Sequence, residues 1–150
     1  MRWPSDRPMT NDFDYLHTVV DSEIDEQGHA NNVVYVAWMQ AAAVAHSDAQ
    51  GWNAARYREV GHGWFVRRHT IEYLSPAVAG DPIVVETWVA TMRRVSSLRR
   101  YRIRRTDDGT LLAKAETLWA FVDYESGRPK RVLPEVASAF ELVPDEPSRS

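Results

Sequence analysis

Residues 33–45 restrict the fold more than any other stretch. Gln40 is their only clearly polar member, and Gly51 follows soon after. The length and the terminal glycine predict one helix over about residues 31–49. A helix apolar on nearly all sides belongs in the middle of a structure. Tyr35, Met39, Ala42, Ala43 and His46 share one face by spacing, and Val34, Trp38, Ala41 and Ala45 cover most of the other. The triplet Ala41-Ala42-Ala43 lets a sheet approach closely. The chain has 150 residues, enough for one domain with a real core.

Strands supply the wrapping. Residues 13–22 read as a first strand, and residues 52–59 as a second short helix. After Gly61-His62-Gly63 the period changes to two, with strands over 64–74, 82–92, 98–106 and 111–123. Asp107-Asp108-Gly109 is a hairpin signal between the last two. Ile83, Val85 and Val89 alternate with Glu86, Trp88 and Ala90, and Tyr101 and Ile103 alternate with three arginines. In the last strand, small residues at Ala113 and Ala115 leave room for a helix. Short connections make successive strands antiparallel neighbours. One helix and one sheet then give an α+β domain in two layers, a five-stranded antiparallel sheet curled round a central helix, which is the hotdog arrangement. The ordered part is expected over about residues 13–140, between a Pro-containing arm and a Pro- and Ser-rich tail.

The helix begins in a polar loop, Asp25-Glu26-Gln27-Gly28-His29-Ala30-Asn31-Asn32. Gly28 permits a sharp turn, and Asn31 or Asn32 can cap the helix. A carboxylate and a histidine therefore sit at a positive helix end, where an anion or a polarised carbonyl is stabilised. The same residues also suit a plain turn and cap, with Asp25 bonding nearby amides.

The ordered string Asp-x-x-Gly-His-x-Asn-Asn-x-x-Tyr-x-x-Trp, from Asp25 to Trp38, resembles the signature of hotdog-fold acyl-CoA thioesterases of the 4-hydroxybenzoyl-CoA thioesterase type. It is also similar to the corresponding stretch of plant acyl-ACP thioesterases. Glu72-Tyr73-Leu74-Ser75-Pro76-Ala77 with Gly80-Asp81 resembles the same family's second strand and turn. Trp119-Ala120-Phe121-Val122-Asp123 with Gly127-Arg128-Pro129 resembles its last strand and tail.

That resemblance implies thioester hydrolysis, with no cofactor. Asp25 matches the family's catalytic carboxylate, as nucleophile or as base for water. Asn32 marks the amides that hold the thioester carbonyl, and His29 orients Asp25 or a water. Gly28 and Asn31 frame the substrate, with Tyr35 and Tyr73 beside it, although Tyr35 and Trp38 also suit the core. Arg93, Arg94 and Arg131 resemble residues that hold the CoA phosphates in some relatives. Two departures stand out: Gln40 lies where many relatives carry an acid, leaving Asp25 as the sole candidate carboxylate, and Val95 lies where some carry lysine. The family pairs sheets edge to edge with active sites shared between chains, so a homodimer or homotetramer is expected. The implied partner is an acyl-CoA or an acyl-ACP. A non-catalytic acyl-CoA-binding module is the alternative of a different class, and the presence of Asp25 disfavours it.

Composition narrows the remaining classes. A net charge of -3 offers no basic field for nucleic acid. The 18 basic residues are all arginine except Lys114 and Lys130. The absence of cysteine removes disulfides, a thiol nucleophile and Cys-ligated metals. His46, His62 and His69 are too scattered for a metal motif, so no metal is expected. G-x-S-x-G and P-loop patterns are also missing. With neither a leader-like N-terminus nor a membrane-length apolar run, a cytoplasmic protein is expected.

Overall fold

The computed structural model describes residues 12–144. In chain order it contains β1 (Phe13–Thr18), a 3-10 turn (Asp21–Glu23), α1 (Asn32–Ala49), α2 (Ala54–Val60), β2 (His62–Tyr73), β3 (Pro82–Met92), β4 (Ser96–Arg105), β5 (Leu111–Asp123) and the short α3 (Pro134–Ala137). The five strands form one antiparallel sheet in the order β1-β3-β4-β5-β2. The N-terminal arm and the last six residues lie outside the described residues.

The first strand is shorter than expected. It stops at Thr18 because the chain turns at Val19–Val20 into the 3-10 turn. The expectation that all successive strands pair also fails at one place. β2 pairs with β5 at the far edge, not with β3. The connection from Leu74 to Asp81 crosses to the other side of the sheet and passes the helix start. There Ala77 is fully buried and its carbonyl accepts from the Ala30 amide at 2.8 Å.

α1 starts where a side chain replaces a missing helical partner: Asn31 Oδ1 accepts from the Val33 amide at 2.9 Å. Its buried residues are Tyr35, Trp38, Met39, Ala42, Ala43 and His46. Of these, Tyr35, Trp38, Met39 and Ala42 pack in one cluster with Ile83, Val85, Tyr101, Ile103, Leu112 and Ala113 of the sheet. Ala42 and Ala113 are fully buried, which is the close approach the small residues predict. Trp38 belongs to this buried side and not to the opposite one. The helix is also not buried all round: Val33 (73% exposed), Ala37, Gln40 and Val44 (58% exposed) form an outward stripe. A single sheet covers only one side of a helix within one chain.

The outer face of the sheet is not simply solvated. Trp88 and Glu86 are buried on it beneath arginines of β4. Arg104 Nε lies 3.2 Å from Glu86 Oε1, and the Arg102 guanidinium stands 5.1 Å from the centre of the Trp88 ring. The apolar stems of these arginines cover what the alternating pattern leaves open. A second core cluster, Trp52, Tyr57, Val89, Phe121, Val132, Val136 and Phe140, closes the C-terminal end of α1. Among the described residues, no helix is long and apolar enough to cross a membrane.

Candidate active site

The loop before α1 is closed by an antiparallel bridge between Ile24 and Ala30. Asp25 N–H donates to the His29 carbonyl at 2.8 Å, and Gly28 N–H returns to the Asp25 carbonyl at 3.0 Å. Gly28 has φ +84°, a conformation side chains disfavour, so glycine is needed at this tight turn. Asp25 Oδ1 accepts from the amides of Gln27 (2.9 Å) and His29 (3.3 Å). Its Oδ2 has no hydrogen-bond partner among the described residues. The carboxylate is thus held through one oxygen and presents the other.

The first helical amides are unequally served. Asn31 N–H donates to the Glu23 carbonyl, Val33 N–H to Asn31 Oδ1, and Val34 N–H to the Asn31 carbonyl. Asn32 N–H has no partner among the described residues. It points from the positive end of an 18-residue helix. Asn31, not Asn32, is the cap, so Asn32 contributes this backbone group. Tyr73 Oη donates to the Asn32 carbonyl at 2.9 Å and fixes that peptide from β2. Tyr35 is buried behind it, its ring edge-on to Tyr73 with centroids 5.0 Å apart. Burial pushes the hydroxyl pKa of both tyrosines upward, and at Tyr35 the adjoining Tyr73 acts in the same direction. His29 stands exposed in the same turn.

Beneath the loop lies a clamp that the sequence reading missed. Glu23 accepts from His17 Nε2 (2.9 and 3.2 Å), Trp38 Nε1 (2.8 Å) and the Val20 amide (3.0 Å). It ties β1, the 3-10 turn and α1 together, two residues before Asp25. Burial pushes its carboxyl pKa up. Its bonds to His17, Val20 and Trp38 outweigh that and hold it below the ordinary value. In sequence, Glu23 carries no sign of this, since its three partners are brought together only by the fold.

Arg93 and Arg94 occupy the β3–β4 turn, and Val132 N–H donates to the Arg94 carbonyl at 2.8 Å. That bond brings the chain at Arg131 alongside the Arg93–Arg94 turn, with Lys130 preceding it, and both of these side chains are exposed. These basic residues do not converge on Asp25. The Asp25 loop leaves the Pro82 end of β3, while the arginines sit past Met92, roughly 33 Å along an 11-residue strand. Asp12, Asp14 and Glu86 bring carboxylate oxygens within 4.8 Å of one another, but Arg104 and Arg102 already meet Glu86.

These observations describe a loop carboxylate and a free helix-end amide on a sheet-wrapped helix. A family model described as the Thioesterase-like superfamily matches residues 19–140. The chain belongs to that superfamily. The matched region runs from just after β1 through the C-terminal cluster, so this thioesterase-like domain includes every candidate site residue. The chain is 28% identical over 123 residues to the acyl-CoA thioester hydrolase YbgC of Escherichia coli O6:H1, covering 79% of this chain and 87% of that protein. Its fold is also that of Slr0204, a 1,4-dihydroxy-2-naphthoyl-CoA thioesterase from Synechocystis. The TM-score is 0.80 at 17% identity, over 85% of this chain and 94% of that one. The Staphylococcus aureus protein SAV2348, solved in complex with CoA, matches with TM-score 0.81 at 16% identity, over 90% and 85% of the two chains. The hotdog architecture expected from the sequence is therefore the observed one.

Proposed function

We propose that this thioester hydrolase cleaves acyl-CoA to a free acid and CoA, with Asp25 as general base or nucleophile. The observation that carries the reading is the free Asn32 N–H on the same loop–helix junction as the free Asp25 Oδ2. The amide would receive the thioester oxygen as charge develops on it. As a base, Asp25 takes a proton from water while the water oxygen attacks the carbonyl carbon. Collapse then breaks the C–S bond and the CoA thiolate takes up the proton. As a nucleophile, a carboxylate oxygen of Asp25 attacks the carbonyl carbon, the C–S bond breaks and CoA leaves as its thiolate. Water then opens the resulting anhydride, giving the free acid and Asp25, and a water proton goes to the thiolate. Gly28 and Asn31 shape the loop, Tyr73 fixes the Asn32 peptide, and His29, exposed in the same turn, is assigned the role of orienting water.

Arg93, Arg94 and Arg131 are assigned to the CoA phosphates, with Lys130 beside them. Because they lie at the opposite end of β3 from Asp25, one substrate reaches both sets where two copies of the chain meet. A homodimer sharing its sites satisfies this and gives the outward stripe of α1 and the edge strands a partner. The same basic cluster suits an acidic carrier protein, so acyl-ACP is the second reading. A panel of acyl-CoAs assayed by thiol release tests the activity without background, because the chain has no cysteine. Hydrolysis of at least one acyl-CoA is expected; a panel left intact by folded protein would refute it.

A further inference from the structure

Arg99, on β4, is 6% exposed and points into the domain, on the same parity as Tyr101 and Ile103. Its Nη1 meets His46 Nδ1 at 3.0 Å and Thr87 Oγ1 at 3.1 Å. Its guanidinium lies 6.0 Å from the centre of the Phe140 ring. All of these partners are neutral: burial first, and then Arg99 itself, push the His46 pKa down to about 3. Among the described residues no carboxylate pairs with Arg99. A buried cation without an anion is costly to hold, and removal of a partner from such a charge typically destabilises a protein.

Arg99 lines a cavity of about 210 Å³ whose walls include Trp52, Tyr57, Trp64, Trp119 and Phe140. An apolar cavity of about 150 Å³ suffices for benzene, so this one holds a ring or short chain bearing a head group. The buried Trp119 indole N–H approaches the Tyr101 hydroxyl but meets no acceptor at hydrogen-bond geometry. The mouth lies beside Asp48 and Ala54, both exposed. Measured along α1, Ser47 at this cavity is 15 residues from Asn32, or roughly 22 Å. Within one protomer the cavity is therefore separate from the Asp25 loop.

We propose that this cavity is a second ligand site, taking a small aromatic or aliphatic carboxylate with its anionic end on Arg99 and its apolar body among the tryptophans. The ligand supplies the anion that the described residues do not place on Arg99. The proposal does not depend on Asp25 being catalytic.

Calorimetric titration with phenylacetate and with its neutral isostere phenylacetamide tests it, with tryptophan fluorescence as a second readout. Phenylacetate is expected to bind one per chain, at least tenfold tighter than the amide, equally well in wild type and Asp25→Asn. Arg99→Met should lose at least tenfold. Ala54→Trp, changed at an exposed position, should block the mouth and lose binding even if Arg99→Met fails to fold. Equal binding of acid and amide, no binding of phenylacetate, or loss of binding in Asp25→Asn would each overturn the proposal. So would retained binding in folded Ala54→Trp. A carboxylate at the far end of an acyl chain is the other source of this chemistry. It would show as a higher KM for glutaryl-CoA in Arg99→Met with phenylacetate binding no better than the amide, which also overturns a free-acid site.

Discussion

Glu23→Gln should destabilise the domain strongly although it changes a single atom type. Each Glu23 oxygen serves its own donor: Oε1 receives the Val20 amide and Oε2 the Trp38 indole, with His17 Nε2 between them. Glutamine has one carbonyl oxygen. Whichever way it turns, its NH2 faces another N–H, so one donor loses its acceptor and the rest lose the charge. Hydrogen bonds to a charged group contribute about 1.5–3 kcal/mol, and an unsatisfied buried donor costs about 1–3 kcal/mol. A net loss of about 3 kcal/mol follows, which in a 150-residue chain lowers Tm by roughly 6–12 °C. The effect also carries a pH signature. The folded Glu23 pKa is below its ordinary value of 4.5, so its contribution is present above that pH and is lost as pH falls through the folded value. Melting curves of wild type and Glu23→Gln by circular dichroism should therefore differ most at pH 7 and draw together as the pH is lowered below 4.5. A Tm difference under about 2 °C at pH 7, or one that does not shrink as the pH is lowered below 4.5, would refute the reasoning.

Removing Arg93, Arg94 or Arg131 should raise KM for acyl-CoA by roughly tenfold with little change in kcat, because phosphate contacts are made in ground and transition states alike. The loss should vanish with an acyl-pantetheine; equal losses on both substrates would assign these arginines to folding. Light scattering should give a mass of at least twice the 17.2 kDa chain. A monomer at micromolar concentration that still turns over acyl-CoA would contradict the shared site.

Most of the fold was legible because the local signals agree. The apolar run, the Gly51 stop and the four alternating segments specify α1 and the last four strands to within two residues at each end. The sheet order was not, since the residue 74–81 connection is short enough for a neighbour and only its packing against the helix start shows the crossing. Nor was the outward stripe of α1, because valine at 33 or 44 reads the same whether a sheet, another chain or water lies beyond it. Asp25, Gly28 and Asn31 were legible as a turn and cap. Glu23 was not, since its partners His17 and Trp38 are 6 and 15 residues away. Arg99 carried a usable signal: it shares the parity of Tyr101 and Ile103, so an inward charge could have been read from the alternation itself.

The chemical step in Asp25→Asn tests the proposed catalysis most directly. Asparagine keeps an oxygen for the Gln27 and His29 amides, and the Asn31 cap is untouched. Stability should therefore change by no more than about 1 kcal/mol. Single-turnover hydrolysis of the best acyl-CoA should slow by roughly 10²-fold or more, the scale of losing a general base, while binding persists. A variant that melts like wild type and hydrolyses the thioester at the wild-type rate would contradict catalysis by Asp25.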